Sequence, residues 1–159
     1  MHRAARRRLI VAAAGLLVLG VAGGVLYAVQ SPEGIAAPAH VAACESPMSQ
    51  LPRSVGGQPS TEATVAEGTD PRDVRQWGDP AIIATCGWPA LGPTTDQCLD
   101  VDGVDWVAAP LTDGTRFTTF GRDPAIEVLV PRAYDPAPLL LPAFDAAAKA
   151  LPSNNRTCS

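Results

Sequence analysis

The stretch DVDGVD at 100–105 gathers three carboxylates, Asp100, Asp102 and Asp105, within six residues, a density that suggests either cation binding or acid–base work on a sugar. An EF-hand calcium loop fails on alignment. With Asp102-Gly103 set at the fifth and sixth loop positions, Cys98 falls on the first ligand position and Ala109 on the twelfth, where carboxylates are required. Glycoside cleavage needs two facing carboxyl groups, one of them kept protonated by burial. Asp79, Asp100, Asp102, Asp105 and Asp123 are the acids such an enzyme would draw on. Asp-Gly at the centre of the motif is explained more simply by a two-residue type I′ turn, which needs positive φ at both positions. The expectation is a solvated hairpin.

Nucleophilic catalysis lacks its usual base. The only histidines are His2, in the basic N-terminal flank, and His40, in a Pro- and Ala-containing segment that reads as a linker. A Ser-His-Asp or Cys-His arrangement needs an imidazole within hydrogen-bond reach of the nucleophile, and a linker is a poor place to hold one. The sole lysine, Lys149, reads as the exposed face of a terminal helix. No catalytic residue, metal ligand set or cofactor is expected.

Cys44, Cys86, Cys98 and Cys158 show no CxxC spacing and have no histidine near them in the body of the chain, so zinc is not expected. An even count in a small exported domain reads instead as two disulfides. Four cysteines allow three pairings. The favoured one joins Cys44 to Cys86 and Cys98 to Cys158, tying each end of the domain to its centre; in the loop-entropy model each closure contributes roughly 4 kcal/mol.

For binding, the candidates are Trp77, Asp79, Trp88, Trp106 and Arg122. The tryptophans could form a platform for glycan or peptide, but in a chain with 5% aromatic residues core packing is their expected use. Three of the five candidates, Trp77, Asp79 and Arg122, sit in an internal echo. WGDPAIIATCG at 77–87 and FGRDPAIEVLVP at 120–131 share an aromatic residue, Gly, Asp-Pro-Ala-Ile and an apolar run. The echo reads as one way of opening a strand used twice, because Asp caps local amides and Pro fixes φ and keeps its predecessor extended. The alternative is a duplicated ligand site.

The elements that must carry these residues follow from periodicity and turns. A short helix fits 44–51, then PRSVGGQPS breaks the chain, and the polar stretch 60–76 reads as loop with a helical turn near 73–76. The ordered core is expected to begin at Trp77. Residues 80–86 form an apolar strand bounded by turn residues, and 92–97 form a loop. Strands at 98–101 and 104–107 flank Asp102-Gly103, while 106–111 and 115–120 flank Asp113-Gly114. Within the last of these, Phe117 and Thr119 share one face and Thr118 and Phe120 the other. At 125–130, Ile126, Val128 and Val130 alternate with Glu127 and Leu129. Leu140, Phe144 and Ala148 recur at helical spacing in 136–151, and the helix should start near Pro142. The expected fold is α+β: an antiparallel meander of about four or five strands, a C-terminal helix packed on it, and disulfide staples.

At the front, Arg3, Arg6, Arg7 and Arg8 precede residues 9–29, a run of 21 residues without a charge. That length spans a bilayer core as helix, and the basic flank places the N-terminus in the cytoplasm. The expected organisation is a cytoplasmic flank at 1–8, a transmembrane anchor in the lipid bilayer at 9–29, a linker at 30–43 and an extracytoplasmic domain at 44–159. A signal peptide cleaved near Ala39, releasing a secreted protein, is the alternative. With those four arginines set aside, eight basic residues face sixteen acidic ones, a formal charge of −8. Nucleic acid is therefore an unsuitable partner.

Taken together, the anchor, Cys44 with Leu51-Pro52 and Gly56-Gly57-Gln58, then WGDPAIIATCG, GVDW at 103–106, FTTFGR at 117–122 and IEVLVP at 126–131 resemble an uncharacterised actinobacterial family of membrane-anchored proteins, a domain of unknown function (family 3515). Phe120 stands where that family would suggest tyrosine, and Ala81 where a second proline is frequent. The resemblance implies a place in the cell envelope and supplies no catalytic residue. The function expected is a non-enzymatic envelope module that binds a protein or cell-wall component. The alternatives are a carboxylate-dependent glycan hydrolase, or a small-ligand carrier with an apolar cavity lined by Trp106, Phe117 and Phe120.

Overall fold

The computed structural model describes residues 34, 35 and 37–158, all within the compact unit Ser31–Ser159. The anchor expected at 9–29 and the basic flank lie outside the described residues. No helix among the described residues is long and apolar enough to cross a membrane.

Eight antiparallel strands form the sheet: β1 (Ser54–Val55), β2 (Gln58–Thr61), β3 (Val74–Trp77), β4 (Ile82–Trp88), β5 (Gln97–Val101), β6 (Val104–Leu111), β7 (Gly114–Thr119) and β8 (Ala125–Pro131). Their spatial order is β1-β2-β3-β4-β8-β7-β6-β5. Two meanders are thus joined along β4 and β8, and the chain crosses from β4 to the far edge before returning strand by strand. The crossing is made by residues 89–96, which must span four inter-strand steps, about 19 Å at ordinary spacing. Eight residues reach that far only when extended, to about 26 Å. Leu91 and Thr94 of this segment line a small cleft with Val107, Ala109, Arg116 and Thr118, so the crossing runs over one face of β6 and β7.

The opposite face carries the core. Ile82, Ala84 and Cys86 of β4, Val104 and Trp106 of β6, Phe117 of β7 and Ile126, Val128 and Val130 of β8 are buried together. They meet a layer made of α1 (Glu45–Ser49), a 3-10 stretch Ala137–Phe144 and α2 (Asp145–Ala150). Phe144 stands edge-on to Trp77, centroids 5.5 Å apart at 81°, and the Trp77 indole N–H donates to the Pro52 carbonyl at 3.0 Å. Such an aromatic pair contributes about 0.5–1.5 kcal/mol beyond its buried area.

Both disulfides form as favoured. Cys44–Cys86 ties the start of α1 to the middle of β4, with Cα atoms 5.9 Å apart, and Cys98–Cys158 ties the C-terminal tail to β5 at 6.1 Å. The Asp102-Gly103 hairpin is present with φ of 51° and 79°. Val101 pairs with Val104 around it. At the second Asp-Gly the turn is Thr112-Asp113, because Leu111 pairs with Gly114. Gly114 is already strand, pressed so closely on β8 that a Cβ would strike the Val130 carbonyl.

Four expectations are corrected. The sheet has eight strands rather than four or five, since β1, β2 and β3 come from segments read as turn and loop; all three are short, and successive pairing, β1 with β2, β2 with β3 and β3 with β4, rather than an apolar alternation makes them strands. The helical turn near 73–76 is instead a 3-10 turn at Pro71–Asp73, capped by the Asp70 side chain accepting from the Arg72 amide, and β3 follows it directly. Ordered core begins well before Trp77, at Cys44, Met48, Val55 and Val74. Finally, α2 starts at Asp145 rather than near Pro142, which lies inside the 3-10 stretch, where helix has already formed without the α-type bonds that proline would break.

Residues 34, 35 and 37–43, read as spacer, lie against the domain. Ile35 donates to the Thr64 carbonyl at 2.7 Å and accepts from the Ala66 amide at 2.9 Å, and the Ala37 amide donates to Thr69 Oγ1 at 3.2 Å.

Candidate functional site

The acids named for glycoside cleavage do not assemble around a cleft. Asp79 and Asp123 are exposed and precede β4 and β8, which run antiparallel with Ile83 opposite Leu129, so they lie toward opposite ends of the sheet. Asp100 and Asp105 are register partners in the β5–β6 hairpin. Each is bound to backbone instead: Asp105 accepts from the Cys158 amide at 2.9 Å and Asp100 from the Gly103 amide at 3.4 Å. Asp102 sits on the turn, near Asp145 of α2. Burial, and less strongly Asp102, push the Asp145 carboxyl above the usual range, while its hydrogen bond from Lys149 opposes them.

The aromatic candidates are likewise dispersed. Trp77 and Trp106 are fully buried, and Trp88 is half-buried with its indole N–H donating to Thr85 Oγ1 at 2.7 Å. Arg122 donates to the Leu151 carbonyl at 3.0 Å and bridges to Ser153, holding the end of α2 and the tail. Nor do Trp106, Phe117 and Phe120 line a common cavity. Phe117 of β7 borders the groove described below, whereas Phe120, just past the end of β7, lies beneath the Arg156 guanidinium, 6.0 Å from the ring centre.

Where the helical layer stops short of the β5 edge, an open groove of about 700 Å³ remains on the core side of the sheet. Leu99 of β5, Ala108 and Pro110 of β6 and Phe117 of β7 form its floor, and Pro136 and Pro138 form the opposite wall. The chain turns at Asp135-Pro136 into the 3-10 stretch beside the start of β5, and this turn walls the groove while α2 packs against β6. Its size lies within the range of small-molecule and peptide sites, about 300–1,000 Å³. Among the described residues its ionisable lining groups are Asp96 and Asp135.

With this fold and groove in place, the family can be stated, because residues 9–155 match the model of the family described as "Protein of unknown function (DUF3515)". The chain belongs to that family. No curated protein and no solved structure matches it significantly.

The DUF3515 domain has a second constellation that the sequence concealed. His40 Nδ1 lies 2.8 and 3.0 Å from the two carboxylate oxygens of Asp73, and Asp73 is only 1% exposed. A carboxylate can only accept, so Nδ1 carries the hydrogen of this bond. Nε2 faces Glu45 at 3.8 Å across a cleft of about 240 Å³ that Arg72 and Arg75 also line. The two partners are 33 residues apart, one in the expected spacer and one in the expected loop, so no local pattern announced them. No hydroxyl among the described residues bonds to the His40 ring, and the pair holds residues 37–40 onto the domain.

Two groups of side chains have metal-like proximity. His40, Asp70 and Asp73 each offer an atom within 4.8 Å of the others, but Asp70 is already gripped by the Arg72 guanidinium at 2.7 Å. Those bonds hold its carboxyl down at about 2, so a cation there would have to displace a guanidinium. The other group, Cys98, Asp105 and Cys158, has both sulfurs in a disulfide.

Proposed function

We propose that this DUF3515 protein is a non-enzymatic binding module of the cell envelope, anchored by residues 9–29 and presenting its disulfide-stapled domain outside the cytoplasm. The observation that carries the reading is the groove beside β5: an open concavity of about 700 Å³ rimmed by half-buried Leu99 and exposed Pro110, Pro136 and Pro138, with the buried Ala108 and Phe117 beneath. An open concavity of this size with mostly apolar walls has the form of a ligand or peptide site. Two disulfides support an oxidising location, since such bonds persist outside the cytoplasm. The basic flank and apolar run at the front support the same topology. The ligand on this reading is an envelope protein or cell-wall component offering apolar groups.

The test places a photo-crosslinking residue at position 99 or 138 of the full chain in its native envelope, with position 61 on β2 as control. Adducts specific to the two groove positions are expected. Identical labelling at all three positions, or none at the groove, removes the reading.

A further inference from the structure

The groove ends at a strand with nothing beyond it. β5 pairs with β6 alone, and the other sheet edge, β1, is two residues long and too short to template pairing. Around the two-residue turn, Val101 opposite Val104 is the closing hydrogen-bonded pair, so Val101, Leu99 and Gln97 turn their backbone groups toward β6. Cys98 and Asp100 therefore turn their N–H and C=O groups outward. Among the described residues no backbone hydrogen bond outside the regular elements reaches either of them. The disulfide to Cys158 leaves this edge clear, because the Cys158 amide bonds to Asp105 and draws the tail inward over β6.

The side chains along the edge alternate in a way that specifies a partner. On the groove side stand Leu99 and Val101, half-buried; on the other side stands the exposed Asp100, and the exposed Asp96, just before the strand, borders both faces. No proline, lysine or bulge interrupts the strand, and these acids are its guard against pairing with copies of itself. Two β5 edges brought together would set Asp96 and Asp100 against the same acids of the second copy. A strand bearing basic residues would meet them favourably.

We propose that the free edge of β5 takes an extended segment of a partner protein as an additional strand, one whose side chains alternate basic and apolar. The proposal rests on the groove being the binding site and names its occupant. Backbone hydrogen bonds to Cys98 and Asp100 provide pairing, apolar side chains on one face of the incoming strand enter the groove over Phe117, and basic side chains on the other lie along Asp96 and Asp100. The five residues of β5 offer about 17 Å of edge, enough for such a segment to present two or three side chains to each face.

The test titrates the full chain, disulfides intact, with the capped peptide Lys-Val-Lys-Ile-Arg-Val-Lys-Ile, and with a peptide of the same composition in which basic and apolar residues are in separate blocks. The alternating peptide is expected to bind at least tenfold more tightly than the block peptide and to slow amide exchange at Cys98 and Asp100. N-methylation of the peptide amides on one edge should cost at least tenfold, and on the other edge almost nothing. D96K/D100K should lose the basic peptide and accept its glutamate counterpart; should that variant fail to fold, D100N alone should weaken binding severalfold. Equal binding of the block or of both methylated peptides overturns strand addition, as does a homodimer crosslinked through β5. If N-methylation costs nothing while position 138 still crosslinks apolar ligands, the groove stands and the added strand falls. Silence in both assays removes both.

Discussion

His40 and Asp73 are joined by a short contact, 2.8 Å from Nδ1 to the nearer carboxylate oxygen, with the acid almost wholly buried and the imidazole about one quarter exposed. This contact fastens residues 37–40 to the turn that precedes β3. Truncating His40 leaves a buried carboxylate without its hydrogen-bond donor, the situation in which an unmet buried group costs more than the bond contributes. H40A is expected to destabilise by about 2–4 kcal/mol, and H40A/D73N by less than the sum of the single changes. Urea unfolding of the four proteins of this cycle measures it; strict additivity would mean that the contact carries no coupling.

The two disulfides differ in exposure. Cys44 and Cys86 are fully buried, whereas Cys98 and Cys158 are half-buried. Thiol–disulfide exchange needs access of the attacking sulfur. Under limiting reductant at neutral pH, Cys98 and Cys158 should therefore be alkylated first, with the Cys44–Cys86 bond opening only as the domain unfolds. Peptide mapping after timed quenching reads the order. C98S/C158S should lose roughly 4 kcal/mol by loop entropy alone, yet leave the amides of β4 protected from exchange.

What the sequence disclosed depended on chemistry confined to neighbours. Asp102-Gly103 was legible because few residues tolerate two successive positive φ angles, and β8 because Ile126, Val128 and Val130 alternate without interruption. Gly56-Gly57 carried the same hairpin signal, with φ of 56° and 79°, but the flanking strands are too short and polar to reinforce it. The His40 to Asp73 contact and the groove had no local signature. One depends on a chain reversal that brings 37–40 alongside the turn at Pro71–Asp73; the other is space left where a layer of helix ends over a wider sheet.

On the face of the sheet away from the core, Glu127 is half-buried beside Arg116, 3.7 Å away. Burial pushes its carboxyl above the ordinary value, and the guanidinium recovers part of the shift. A raised carboxyl binds protons in the folded state that the unfolded chain has already released, so stability falls as pH rises from the ordinary glutamate range through the raised value. The slope from one such group cannot exceed ~1.4 kcal/mol per pH unit. E127Q should remove this component, and R116M should enlarge it. Chemical unfolding at closely spaced pH values between 4 and 7 gives the comparison; matching pH profiles for wild type and E127Q would show that Glu127 is not the group responsible.

The repeated Gly and Asp-Pro segments allow a sharper test of whether they open strands or form a ligand site. Gly78 and Gly121 take nearly the same left-handed conformation, φ 73° and 72°, one residue before Asp79 and two before Asp123. At Gly121 a Cβ would strike the Arg156 carbonyl in the tail, while at Gly78 it would meet the Tyr134 hydroxyl and the Gln58 side chain, both able to move. Backbone strain alone costs about 1–3 kcal/mol for a non-glycine residue at such a position. G121A is therefore expected to lose more stability than G78A, with the excess arising from displacement of the tail that Cys158 and Asn154 hold. D79A and D123A, at exposed positions, should stay within about 0.5 kcal/mol of wild type. Thermal unfolding of the four variants separates the readings, because a strand-opening device places its cost in the glycines, whereas a duplicated ligand site would spare stability and show the acids in binding. Reversal of the glycine order would show that the tail contact at Arg156 does not restrain Gly121.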